Sequence, residues 1–243
     1  MEIKKIDQSS RTTMFIFEHL DSGLAATLGN TFRRILLTQV PGLAVFAVKM
    51  SDGEKTIACE VGNENKLKGI REIPIYLIFH LKKLVFQFLQ KEIPQPEKVY
   101  VLQINIDNSK SEKEYIVTGQ DIKGELTIAN PETYLATVAP ASQLKISLYC
   151  RYYYAFRPAN DKEQKALLSQ EKDLIFLDSD YCPVKEVSWK VEQVVVDLNK
   201  QEERLILTIT TNGSISTWDS LLTAASFLEQ KMADVKQQLV TKE

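Results

Sequence analysis

The segment GLAATLGNTFRRILLTQVPG, residues 23–42, reads as one helix with its start and its stop written into it. Asp21, Ser22 and Gly23 form a turn signal that offers a helix start. Leu28, Phe32, Ile35 and Leu36 then fall on one face at helical spacing. Pro41 and Gly42 end the run, because proline cannot continue the hydrogen-bond ladder and glycine suits the turn that follows. The expected helix therefore covers Leu24 to Gln39. Arg33 and Arg34 lie late in it and point about 100° apart, so they cannot share a face. Either both are solvated, or one anchors an interface, a role that suits the planar fork of arginine.

Working outward, residues 12–20 are rich in β-branched and aromatic types and read as a strand. Leu43 to Met50 reads as a second strand, with a turn at Asp52 and Gly53. Residues 59–69 are polar and read as loop. Residues 69–87 fit either a short helix or a strand, and Pro94 and Pro96 mark a break. Strands are expected at 98–106, 114–118, 125–129 and 143–154. The stretch 158–172 is the least apolar of the chain and reads as a surface loop. Strands at 184–197 and 203–211 follow, joined by a charged turn around Asn199.

The sequence closes on a long helix. Ser216 and Asp219 form a capping pair ahead of an apolar run. Leu221, Ala225, Leu228, Met232, Val235 and Leu239 then recur at alternating intervals of four and three, a heptad seam. Lys231, Lys236 and Lys242 load its second half with positive charge, which suits the helix dipole. Such a stripe can pack on the chain's own sheet. The alternating spacing and the length, roughly 34 Å at 1.5 Å per residue, favour a second helix, as in a two-fold dimer.

Composition narrows the function. With 30 basic against 32 acidic residues the net charge is -2, which excludes a chain that holds nucleic acid over its whole surface. Cys59, Cys150 and Cys182 are too far apart for a zinc site or a disulfide framework and suit a reducing compartment. No run of about 18 apolar residues exists to span a membrane, and the first residues lack the apolar run of a secretory signal. Nine scattered glycines leave no phosphate-cradling loop. His19 and His80 have no partner nearby in sequence. Ser142 and Lys145 have a Ser/Lys hydrolase spacing, but an extended strand sends them to opposite faces. Arg151, Tyr152, Tyr153, Tyr154, Phe156 and Arg157 form a basic–aromatic cluster that can stack bases or simply pack as a strand. No catalytic residue, metal site or cofactor is expected.

The helix segment, with Thr27-Leu-Gly-Asn30, Arg33-Arg-Ile-Leu-Leu37 and Pro41-Gly42 in order, resembles the signature of the bacterial and plastid RNA polymerase α subunits. YCPVKEVSWKVE, residues 181–192, resembles a second segment of that family, with Trp189 where an aromatic is usual. Leu205 to Ile215 before the long helix is a third likeness. Three features depart from the pattern. Ala26 replaces a usual histidine, Tyr153 to Arg157 replaces a glycine-rich turn, and the N-terminus is shorter.

The resemblance implies an α+β fold: a dimerisation domain of antiparallel sheet and two long helices, from 1–42 and 179–243, with a mainly-β domain inserted at 43–178. It implies a non-catalytic subunit of a DNA-directed RNA polymerase that pairs with itself and nucleates assembly of the β and β′ subunits. The dimer interface would use Leu28, Phe32, Ile35, Leu221, Ala225, Leu228, Met232, Val235 and Leu239. Arg33, Arg34 and Leu37 would meet β; Pro183, Val184, Lys185 and Glu186 would meet β′. The family usually carries a DNA-binding domain after the long helix, and the sequence stops at Glu243. The expectation is thus an assembly region that reaches DNA only through the assembled enzyme, in bacterial cytoplasm or plastid stroma. The alternative is a structural dimerisation protein with this fold that acts outside polymerase.

Overall fold

A computed structural model describes residues 1–57, 66–88, 95, 97–197 and 200–240. Cys59 and most of the 59–69 loop, Pro94, Pro96, Asn199 and Lys242 lie outside the described residues. In chain order the elements are β1 (Glu2–Asp7), β2 (Thr12–Leu20), α1 (Leu24–Thr38), β3 (Gly42–Ser51), α2 (Pro74–Leu81), β4 (Phe86–Phe88), β5 (Val99–Asp107) and β6 (Tyr115–Thr118). Then come β7 (Lys123–Gly124), β8 (Leu126–Ile128), β9 (Tyr134–Val138), β10 (Gln143–Tyr153), β11 (Phe156–Arg157), α3 (Lys162–Leu167), β12 (Ile175–Phe176) and β13 (Ser179–Asp180). β14 (Val184–Asp197), β15 (Lys200–Thr211) and α4 (Thr217–Val240) complete an α+β chain. It divides into two compact units: Met1–Gly42 with Cys182–Glu243, and Leu43–Tyr181.

The first unit is an antiparallel sheet in the order β1-β2-β15-β14, with α1 and α4 on one face. Alternation along β2 sends Thr13, Phe15 and Phe17 to the helix side, while Met14, Ile16 and Glu18 face away. Phe15, Phe17, Leu205, Leu207 and Ile209 from the sheet bury against Phe32, Ile35 and Leu36 of α1 and Leu221 and Ala224 of α4. The Phe17 and Phe32 rings stack 6.0 Å apart. The other face carries a charge ladder across all four strands. Lys4 meets Glu18 at 2.5 Å, Glu18 meets Arg204 at 2.8 Å, Arg204 meets Glu192 at 3.6 Å, and Glu192 meets Lys190 at 2.7 Å. Alternating signs on adjacent strands favour this register over its neighbours.

Helix α1 begins without a side-chain cap of its own, since Gly23 stands at the N-cap in the left-handed region at φ 84°. Glu203 on β15 supplies one: its carboxylate accepts the Ala25 N–H at 3.1 Å, where the helix dipole favours negative charge. Helix α4 starts as the sequence indicates. Ser216 Oγ accepts the Asp219 N–H at 3.0 Å and donates to the Asp219 carboxylate at 2.6 Å.

The second unit is built on a five-stranded sheet, β12-β3-β10-β5-β7, with three small two-stranded ladders. Its core holds Val48, Met50, Leu77, Leu81, Tyr100, Ile104, Leu144 and Ile146. The ambiguous 69–87 stretch resolves into α2, with Pro74 in its first turn, followed by β4. One reading needs correction, and two strands, β1 and β9, had no expectation from the sequence. The 158–172 stretch is not loop throughout, because Asp161 caps a short helix by accepting the Glu163 and Gln164 N–H groups. Strand β1 is exposed along its whole length, so it has no buried alternation to betray it. Strand β9 is buried on both faces from Leu135 to Val138, which erases the period-two signal there. Residues 179–181 fall in the second unit: Ser179 Oγ donates to Val45 O at 2.8 Å, and the Tyr181 N–H donates to Ala155 O at 3.2 Å.

Candidate functional site

Two surfaces of the first unit gather the residues singled out in the sequence. The first is an open cleft of about 440 Å³ between α1 and β14, lined by Arg33, Leu37, Lys185, Glu186, Val187, Ser188 and Trp189. Its geometry depends on Gly29. A Cβ there would lie 2.7 Å from Cδ2 and 2.8 Å from Cε3 of the Trp189 ring, closer than real Cβ contacts come. Glycine in the Thr-Leu-Gly-Asn segment therefore lets the indole lie directly against the helix. Arg33 crosses from α1 to β14, its Nε donating to Val187 O at 3.2 Å. Lys185 Nζ donates to Cys182 O at 2.9 Å. Cys182 in turn donates its thiol to Leu36 O at 3.3 Å, which ties the start of β14 to α1.

The structure thus brings Arg33 and Leu37 together with Lys185 and Glu186, although the sequence reading assigned the two pairs to different partners. Arg34 is exposed and does not line this cleft, and its guanidinium has no hydrogen bond or ion pair among the described residues. Pro183 and Val184 are buried, so Lys185 and Glu186 are the part of that segment a partner can reach.

The second surface is a groove of about 220 Å³ lined wholly by apolar side chains: Met1 and Ile3 from the N-terminus, Phe17, Leu28 and Phe32, and Trp218, Leu221, Leu222 and Ala225 of α4. The heptad seam divides here. Leu221, Ala225 and Leu228 pack on the unit's own core, with Leu28, Phe32 and Ile35 opposite. Met232, Val235 and Leu239 continue the seam but are 59%, 52% and 67% exposed. A contiguous apolar stripe left in water on one helix marks an interaction surface.

Other candidates find local partners. His19 Nδ1 lies 2.7 Å from the Glu202 carboxylate, and His80 Nδ1–H donates to Leu135 O at 2.8 Å. Glu2, Glu18 and His19 offer ligand atoms within 4.8 Å of one another, but Glu18 is committed to Lys4 and Arg204. Lys145 is exposed on β10, and Ser142 Oγ donates to Pro140 O. The tyrosine cluster is largely self-satisfied: Tyr153 stacks on Tyr154 at 4.6 Å, carries Arg151 over its ring, and accepts from Arg157 at 2.8 Å. Cys150 is fully buried, and burial pushes its thiol pKa far up, so it is inert as a nucleophile. No helix among the described residues is long and apolar enough to cross a membrane.

Comparison with known proteins gives the family. A DNA-directed RNA polymerase subunit alpha from Fervidobacterium nodosum is 31% identical over 227 residues, which are 90% of this chain and 64% of that protein. The chain therefore spans somewhat less than two thirds of that relative's length. The family model described as the RNA polymerase Rpb3/Rpb11 dimerisation domain matches residues 18–232, nearly from β2 to the exposed half of α4. The chain belongs to the RNA polymerase Rpb3/Rpb11 dimerisation domain family.

Proposed function

We propose that the chain pairs with a second copy of itself and that the pair is the assembly subunit of a DNA-directed RNA polymerase, holding the β- and β′-type chains without a catalytic site, metal or cofactor of its own. In this reading the unit of 1–42 with 182–243 forms the dimerisation domain, and the unit of 43–181 is the inserted domain. The pair works in bacterial cytoplasm or plastid stroma and meets DNA only through the assembled enzyme. In one copy Arg33, Arg34 and Leu37 serve the β contact; in the other, Lys185 and Glu186, shaped by Pro183 and Val184, serve the β′ contact.

The observation that carries the pairing is the divided seam. The apolar groove sits at the first half of α4 and the uncovered apolar residues at the second half, about 10–13 residues or 15–20 Å further along. An antiparallel pair of α4 helices puts the second half of each against the groove of the other, with the two-fold axis near Leu228. That is the self-complementary arrangement a closed dimer needs. Met232→Asp tests it. The residue is exposed in the single chain, so folding should be spared. In the pair it would bury an unpaired charge at a cost of several kcal/mol. Sedimentation of the full-length variant should show monomers where the wild type shows dimers. A Met232→Asp dimer as tight as wild type would exclude this seam as the interface.

A further inference from the structure

The Arg33 cleft is neither neutral nor uniformly charged. Arg33 and Lys185 contribute two positive charges and Glu186 one negative, leaving a net +1. Leu37, Val187 and Trp189 supply apolar wall beside them. The bond from Arg33 Nε to Val187 O fixes the guanidinium plane, while its two terminal nitrogens have no partner among the described residues. A guanidinium held at Nε and open at both terminal nitrogens is set to grip a carboxylate through two parallel hydrogen bonds.

Resting on the assembly reading above, we propose that the group seated in this cleft is a single carboxylate side chain of the β-type partner, with an apolar side chain next to it against Trp189. Glu186 on the rim selects against a more highly charged occupant: a phosphate dianion or a run of acids would exceed the one net positive charge and meet Glu186. Lys185 is already tethered to Cys182 O, so it contributes field more than contact. Docking removes water from Arg33 and so strengthens a pair that would be worth little while exposed.

The test is capture of the β-type chain by the full-length dimer in a series at Arg33, with a charge-reversal scan of the partner. Arg33→Met should weaken capture on the order of 30-fold, the loss expected of a central interface arginine. Arg33→Lys should recover only part of it, and Arg33→Glu should bind least. One Asp→Arg or Glu→Arg change in the partner should restore capture by Arg33→Glu while weakening wild type, and capture should fall as salt rises. Thermal midpoints of the variants establish that each is folded. Wild-type capture unchanged in Arg33→Met, or no compensating acidic position in the partner, would overturn the carboxylate proposal and leave the assembly reading standing. Failure of the wild type to capture any β-type chain would overturn the assembly reading, and this proposal with it.

Discussion

Gly29→Ala probes the contact that shapes the cleft. The added methyl group would lie 2.7 Å from a ring atom of Trp189, where ordinary contact begins at 3.4 Å. The indole must withdraw by about 0.7 Å, the difference between those two distances. The atoms in the way belong to the body of a ring, so no flexible tip can swing aside. Overpacking of this kind costs about 1–3 kcal/mol, and alanine returns roughly 1 kcal/mol over glycine in a helix interior. The net expectation is a loss of about 1 kcal/mol, a fall in Tm of about 2–4 °C for a chain of this size. Asn30→Ala, one residue on and exposed, is the control: it carries the helix-propensity gain without the clash. Differential scanning calorimetry reads the stability. Emission in a Trp218→Phe background reads Trp189 alone, since these are the chain's two tryptophans. A Gly29→Ala protein that melts higher than wild type with unchanged Trp189 emission would refute the reasoning.

Three other outcomes are expected. Arg34→Ala should leave dimer mass unchanged and stability within about 0.5 kcal/mol, as for an exposed side chain with no partner among the described residues, yet lower β capture; capture equal to wild type in a pull-down would deny Arg34 its role. In the sheet ladder, hydrogen bonds from Lys4 to Glu18 and from Lys190 to Glu192 hold both carboxyl groups below the ordinary glutamate value of 4.5. Groups with lowered values stabilise the fold above that pH, and the contribution is lost as pH falls through the folded-state values. Urea midpoints measured from about pH 7 to pH 3 should therefore drop less steeply for the Glu18→Gln/Glu192→Gln protein than for wild type. Asp161→Ala should cost about 1 kcal/mol of local stability by uncapping α3, read as faster amide exchange over residues 162–167, and exchange at the wild-type rate would show that the cap is idle.

The parts of the fold legible in the sequence are those with a period and a punctuation mark. Helix α1 has both, from Gly23 to Pro41, and α4 has Ser216 ahead of its seam. Strand β2 shows its alternation through Phe15 and Phe17. Strand β1 was illegible because none of its side chains is buried, and β9 because residues 135–138 all are. Helix α3 carries too few apolar residues to register, and its buried Gln164 gives no hydrophobic signal. At the candidate site, the resemblance pointed to Gly29, Arg33 and Trp189 without giving a reason for them together. The reason is three-dimensional: Gly29 admits Trp189, and Arg33 spans to Val187 O beside it. The seam's division was equally hidden, since spacing alone says that Leu221 to Leu239 form one stripe but not where the chain's own core stops covering it.

The most direct measurement of the account is the mass of the complex formed when the tagged full-length chain is co-expressed with the β- and β′-type chains of its host. Native mass spectrometry of the purified material should give two copies of this chain with one of each partner. The Met232→Asp protein should assemble with neither, because the pair that holds them no longer forms. Recovery of the wild-type chain as a monomer, or as a dimer free of both partners, would contradict the account.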